Sequence, residues 1–573
     1  MAMTVRKIII TVIKILKRML RFIKLFKKHS DYEEYINSSD KTLPNVSLCD
    51  EEDEMHYEPK PYDYSKDYLT FVALGSGTFT FEPKNNNVIR YSTDNGENWT
   101  EGNSVSVNSG DKVMWKGTMT PEEWVGIGTF SSTGNFDVQG NSMSLLFGDN
   151  YKGEIDLTGK DNAFYQLFYV NTKIVNAENL SLPATTLAKA CYYGLFQGCT
   201  SLTTAPVLPA TTLESHCYAL MFAGCTSLEN APELPATTLK NGCYANMFWK
   251  CTSLKIAPAL PAETLTNNCY AQMFRGCTSL VDASAITIKS TSTSSCELMF
   301  SECSSLVYAP ELPATSVASN AYNGMFFACT SLVNAPSLPA RFVNANGYNI
   351  MFKRCTSLVD APTLSTTSLA INCYSGMFED CTSLVNVQSE LPATTLYPGC
   401  YQYMFRGCTS LVNAPALPAT VLRNHCYRQM FQDCTSLTES PVLAATTFRE
   451  DTDGSTLKCY ESMFDGCTNL NKVVALFTTD PAVPSEDGDS DGEQTRGKEN
   501  NFDFPFDDED TGTTTPTDTN FKYPYTKNWL RGVSTTGLFV KSASATWTAT
   551  GASAVPDGWT VEQGFDWVSD EGL

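Results

Sequence analysis

The sequence predicts an α+β repeat solenoid preceded by a small all-β sandwich domain, and three observations point there. A twelve-residue block recurs eleven times at a spacing of about 26 residues. Each copy joins a segment with helical spacing of apolar residues to a short, proline-bearing extended segment. Upstream of the copies, residues 68–140 alternate short β-type runs with turn residues.

The block reads Cys-Tyr-x-x-Met-Phe-x-Gly-Cys-Thr-Ser-Leu. Its second cysteine falls at Cys199, Cys225, Cys251, Cys277, Cys303, Cys329, Cys355, Cys381, Cys408, Cys434 and Cys467. Steps are 26 residues, except 27 into Cys408 and 33 into Cys467, where residues 449–455 form a polar insertion. The first cysteine (Cys191, Cys217, Cys243, Cys269, Cys296, Cys373, Cys400, Cys426, Cys459) gives way to Ala321 and Gly347 in two copies. With Cys49, these positions account for all 21 cysteines. Within one copy, Tyr270, Met273 and Phe274 share a face at helical spacing, which predicts one or two helical turns. Gly276 suits the left-handed residue that ends a helix. The stretch Ser253-Leu254-Lys255-Ile256-Ala257-Pro258 reads as a short strand. In Pro258-Ala259-Leu260-Pro261 each proline removes a donor and biases its predecessor to extended geometry, so pairing there is expected to be sparse. One copy cannot bury its apolar face alone, whereas stacked copies bury a continuous core.

Met221-Phe222-Ala223-Gly224-Cys225-Thr226-Ser227-Leu228 and its copies, over residues 160–475, resemble the BspA-like branch of the bacterial leucine-rich repeats. The resemblance implies a curved, right-handed leucine-rich-repeat solenoid used for binding, without catalysis by the repeat and without one shared ligand. The cysteines are expected to stack as buried thiols. A metal site favours two facing Cys-x-x-Cys pairs, a spacing this chain lacks, and Ala321 and Gly347 would leave Cys329 and Cys355 without partners for intra-repeat disulfides.

The flanks differ from the repeats. Residues 1–30 hold nine basic side chains, among them Lys14, Lys17, Arg18, Arg21 and Lys24, interleaved with Ile8, Val12, Leu16 and Leu20 at helical spacing. Such a basic amphipathic helix suits an anionic membrane surface or an acidic partner. It matches neither a standard signal peptide nor a transmembrane span, since its longest uncharged run is residues 8–13. An export signal of atypical form and an oligomerisation helix are the other readings. Residues 31–67 read as an acidic linker. In the β-sandwich module at 68–140, Ser92-x-Asp94-x-Gly96-x-x-Trp99 resembles the Asp-box of sialidase propellers, which implies a hairpin motif rather than an active site. Residues 141–190 are expected to be N-terminal capping repeats, 191–475 the solenoid, 484–519 an acidic disordered insertion and 521–573 a C-terminal cap. Asp487-x-Asp489-x-Asp491-Gly492 opens like an EF-hand loop, but Lys498 stands where the bidentate glutamate belongs.

Catalysis finds little support. The four histidines of the chain include His216 and His425, which occupy one repeat position eight steps apart, roughly 40 Å at a strand pitch of about 4.8 Å. No phosphate loop, nucleophile elbow or zinc motif is present in the sequence. The expectation is therefore a non-enzymatic protein with no cofactor and no metal. A formal charge of −22 disfavours nucleic acid as a partner. Binding should lie where the copies differ, and Trp249, Tyr308 and Phe327 are the candidate ligand-binding residues, since exposed aromatics anchor protein or sugar. The sequence reading is an adhesin-like protein of the cell surface, bacterial or phage-encoded, that binds a protein or glycan ligand. A structural protein of a virion or membrane-associated assembly, anchored by residues 6–28, is the alternative. A glycan-processing enzyme built on the Asp-box ranks last.

Overall fold

The computed structural model describes residues 63–446, 458–478 and 525–564. Eight strands lead the chain: β1 (Leu69–Ala73), β2 (Gly77–Pro83), β3 (Ile89–Ser92), β4 (Thr100–Glu101), β5 (Ser104–Val107), β6 (Lys112–Gly117), β7 (Gly128–Ser132) and β8 (Phe136–Asn141). They form two antiparallel sheets, one ordered β8-β1-β6-β3-β4 and the other β5-β2-β7. Alternation along the strands sends aromatic side chains into the space between the sheets. Phe71 meets Phe79 and Phe130 there at ring separations of 5.4 and 4.8 Å, and Trp115 meets Phe130 at 5.2 Å. All four of these side chains are fully buried.

The module and the repeats share backbone pairing. β8 pairs in parallel with β9 (Ile174–Asn176) and with β10 (Leu180–Ser181), the first strands of the stacked array. Residues 162–170 already follow the stacked pattern: Phe164, Gln166 and Phe168 donate N–H bonds to Cys191, Tyr193 and Leu195 of the next rung.

Each rung then repeats one course. After the second cysteine, a leucine at 0% exposure anchors a short extended segment. Its pairing to neighbouring rungs is sparse and parallel: Ile256 with Asp282, Asp282 with Tyr308, Asn334 with Asp360 and Asp360 with Asn386. A second line of parallel pairing runs through the Ala-Thr-Thr-Leu segments and includes β11 (Ser316–Val317) and β12 (Phe342–Val343). At the far end β13 (Glu439–Leu443), β14 (Lys472–Ala475), β15 (Leu538–Lys541) and β16 (Thr560–Gln563) make a four-stranded parallel sheet. Trp529 and Trp547 are buried over that end, each ring nitrogen donating to a backbone carbonyl, of Ala554 and Phe477 respectively.

The short helix expected in every rung does not form. The sole α-helix among the described residues is α1 (Ser144–Phe147), outside the eleven copies. In the rung at Cys243, Gly242, Asn246 and Lys250 have φ of 61°, 56° and 58°, a left-handed residue every fourth position. The N–H groups of Tyr244, Asn246, Phe248 and Lys250 cross to carbonyls of the next rung at 2.8–3.1 Å. Those of Ala245, Met247, Trp249 and Cys251 close turns within their own rung. Spacing explains the difference. Packed helices need about 8–10 Å between axes, whereas the phenylalanine rings on this side of the array, from Phe168 to Phe464, stack at 5.3–5.8 Å. A chain of turns is thin enough to stack at that pitch and uses alternate N–H groups to bond the rungs together.

The structure also corrects the place of Cys296. Tyr270 N–H bonds the Ser295 carbonyl, where other tyrosines bond a first-cysteine carbonyl. Cys296 therefore sits on the tyrosine ladder and Ser295 on the cysteine ladder. The stack of tyrosine rings runs from Tyr192 to Tyr270 and resumes at Tyr322.

Candidate binding face

The cysteine ladders belong to the core. All twenty described cysteines are free thiols with no exposed surface. Each second cysteine points its Sγ at the carbonyl of the phenylalanine one rung back: Cys225 to Phe196, Cys277 to Phe248 and Cys329 to Phe300, all at 3.1 Å. The same Phe196 carbonyl accepts the Cys199 N–H at 3.0 Å. A small side chain with a weak donor thus completes a buried acceptor without opening space. Burial pushes the thiols up, Cys277 and Cys355 to about 12, which disfavours the thiolate form that a nucleophile needs. Among the described residues no group of three or more His, Cys, Asp and Glu gathers to hold a metal.

The two repeat histidines remain far apart in the array. His425 has φ of 57°, and desolvation, with Arg428 and Lys458 nearby, lowers its pKa to about 4. It is a neutral side chain at a left-handed turn position, where His and Asn are favoured. The Asp-box residues close the β3–β4 hairpin. Asp94 accepts from Ser92 Oγ at 2.6 Å and from the Asn98 backbone at 2.9 Å, while the Trp99 ring nitrogen donates to the Gly96 carbonyl at 3.1 Å. The Ser92 and Asn98 hydrogen bonds hold the Asp94 carboxyl at about 2.

The three candidate aromatics do not share a face. Trp249 and Phe327 occupy one column on the turn side, three rungs apart. Both are half-buried beneath cations: Lys250 Nζ lies 4.6 Å from the Trp249 ring, and the Arg354 guanidinium 5.9 Å from the Phe327 ring. Tyr308 lies on the strand side, 58% exposed. It stands in a groove of about 530 Å³ lined by Val307, Pro310, Glu311, Asn334, Pro336 and Ser284, among others. Ser284 occupies the position that is Pro258 and Pro310 in neighbouring rungs. Beside the Tyr308 column runs a stripe of exposed valines that the sequence reading did not single out: Val281, Val307, Val333, Val385 and Val412. Their signal was available as a valine directly after the recurring leucine in consecutive copies. Lys14, Lys17, Arg18, Arg21 and Lys24 lie outside the described residues, as does the EF-hand-like segment. Among the described residues no helix is long and apolar enough to cross a membrane.

No family model matches the chain, and no curated protein matches it. Two solved structures are similar to part of it. A leucine-rich repeat protein from Bacteroides ovatus is 20% identical, with 54% of this chain and 81% of that one covered at a TM-score of 0.32. TLR13, in a complex with ssRNA13, is 14% identical, with 55% of this chain and 41% of that one covered at a TM-score of 0.20. At those scores neither similarity bears on ligand or mechanism, and the solenoid rests on the rung geometry described above.

Proposed function

We propose that this chain is a non-enzymatic binding protein of the BspA-like leucine-rich-repeat kind, adhesin-like and exposed at a cell surface, which presents the strand side of its solenoid to a protein or glycan. The observation that carries this reading is the contrast between ladders. Core positions repeat the same residue on nearly every rung, whereas the Tyr308 column runs Thr204, Asn230, Ile256, Asp282, Tyr308, Asn334, Asp360. An active site needs different groups converging on one point, and a one-residue column along a stack does not supply that. It does supply an extended surface. In this reading the two-sheet module is a β-sandwich spacer or second binding module, residues 141–190 and 521–573 cap the array, and the net charge of −22 disfavours nucleic acid as a partner.

The test is retention of the full chain on arrays of extracellular proteins and glycans, with a Tyr308→Ala/Val333→Lys variant alongside. Selective retention that the variant loses supports the reading, and identical retention of both proteins overturns it. The basic run at residues 6–28 favours a second reading, a virion or membrane-associated structural component. Protease shaving of intact producing cells and of purified virions separates the two by where repeat peptides are released.

A further inference from the structure

Carboxylates stand in and beside the Tyr308 groove: Glu311 lines it, and Asp282 and Asp360 lie on the Tyr308 column one rung before and two rungs after it. Two acidic side chains on the strand side are neutralised, Glu229 by Lys255 at 2.7 Å and Glu439 by Lys472 at 2.9 Å. Between them Asp282, Glu311 and Asp360 take part in no ion pair among the described residues. Hydrogen bonds orient all three instead, Glu311 accepting from Thr287 Oγ1 at 3.4 Å. Asp282 accepts from the Ser284 N–H at 2.8 Å, and Asp360 from Asn386 Nδ2 at 2.6 Å. Asp282, Tyr308, Asn334 and Asp360 follow one another on successive rungs, so the two aspartates lie roughly 14 Å apart at a strand pitch of about 4.8 Å.

From this we infer that the groove binds a cationic, extended peptide segment, an inference that rests on the binding reading above and names its ligand. Exposed Val307 and Val333 offer apolar surface to the aliphatic stems of lysine or arginine. The open Tyr308 ring offers a cation–π face, and the three unpaired carboxylates take the charged heads. Pro310, Pro313, Pro336 and Pro339 line the groove and have no N–H to give, so the segment is not held there by adding a strand. Side chains hold it, and binding weakens as salt screens the carboxylates.

The experiment uses the full chain and three fluorescent probes, (Arg-Pro)5, (Gln-Pro)5 and (Glu-Pro)5, followed by fluorescence anisotropy at about 0.15 M ionic strength. The arginine probe is expected to bind at least about tenfold more tightly than the glutamine probe, and Tyr308→Ala to weaken it by about tenfold. Asp282→Asn/Glu311→Gln should weaken it further. The charge-matched control Glu122→Gln/Glu123→Gln, on exposed residues of the two-sheet module, should leave it within about twofold. Equal losses in the two double variants, or no preference for arginine over glutamine, overturn the inference. So does Tyr308-dependent binding of cellohexaose or N-acetylchitohexaose, which would leave the binding reading standing and change its ligand class.

Discussion

Cysteine recurs here for what its side chain does inside the stack. Its volume fits the rung, and its Sγ–H reaches a phenylalanine carbonyl that already accepts one N–H. Burial pushes Cys191, Cys277 and Cys355 up to about 12, against an ordinary thiol near about 8.5. Because the folded state holds these protons more tightly than the unfolded one, their contribution to stability is complete below about pH 8.5 and falls away as pH rises through about 12. The melting temperature is therefore expected to fall steadily above about pH 9, measured by thermal unfolding across a pH series. At pH 8 the twenty repeat cysteines of a Cys49→Ser variant should leave a thiol reagent unreacted until denaturant is added, and dithiothreitol should not shift the melting temperature. A shift with dithiothreitol would mean that disulfides contribute to the fold.

At the scale of the element, the turn chain that replaces the expected helix makes its own demands. The position before the second cysteine has positive φ whether it holds Gly224 (74°), Lys250 (58°) or Gly276 (73°). A non-glycine residue in that conformation costs about 1–2 kcal/mol, part of which glycine returns through its larger unfolded entropy and part through the lost Lys250–Trp249 contact. Lys250→Gly is expected to stabilise the protein by about 0.5 kcal/mol and Gly224→Ala to destabilise it by about 1 kcal/mol, read from urea midpoints. In a helix the order would reverse, since glycine in a helix interior is worse than alanine by about 1 kcal/mol. The sequence contains the relevant signal: in eight of the eleven copies the residue before the first-cysteine position is His, Gly or Asn (His216, Gly242, Asn268, Asn320, Asn346, Asn372, Gly399 and His425), types that accept left-handed geometry. Over eight residues, spacing of four and spacing of 3.6 select the same buried side chains, so apolar pattern alone could not separate a turn chain from a helix.

At the largest scale the repeats form a quasi-one-dimensional stack, and its ends decide whether the core stays covered. Past Cys467 the motif is lost, yet β15 and β16 extend the parallel sheet, while the rings of Trp529 and Phe477 lie against Tyr460 at 6.3 and 5.5 Å. Truncation after residue 478 removes Trp529, Phe539, Trp547 and Trp559, all buried. The shortened chain is expected to lose melting temperature and to associate through its open end, seen by size-exclusion chromatography with light scattering. A monomer with unchanged melting temperature would mean that the last rungs carry no capping role.

The sequence by itself determined the number of copies, the ladder each buried residue joins, the sparse pairing of the proline segments and the thiol character of the cysteines. In a stack each rung meets only its neighbours, so translation along the repeat places residue i over residue i+26, and counting suffices. Tertiary structure alone decided the path on the turn side, because the pitch of the neighbouring rungs excludes a helix that the local pattern allows. And it separated Tyr308 from Trp249 and Phe327: all three break the repeat in the same way on paper, but a closed rung turns its segments toward different sides, Tyr308 to the strand side and the other two to the turn side.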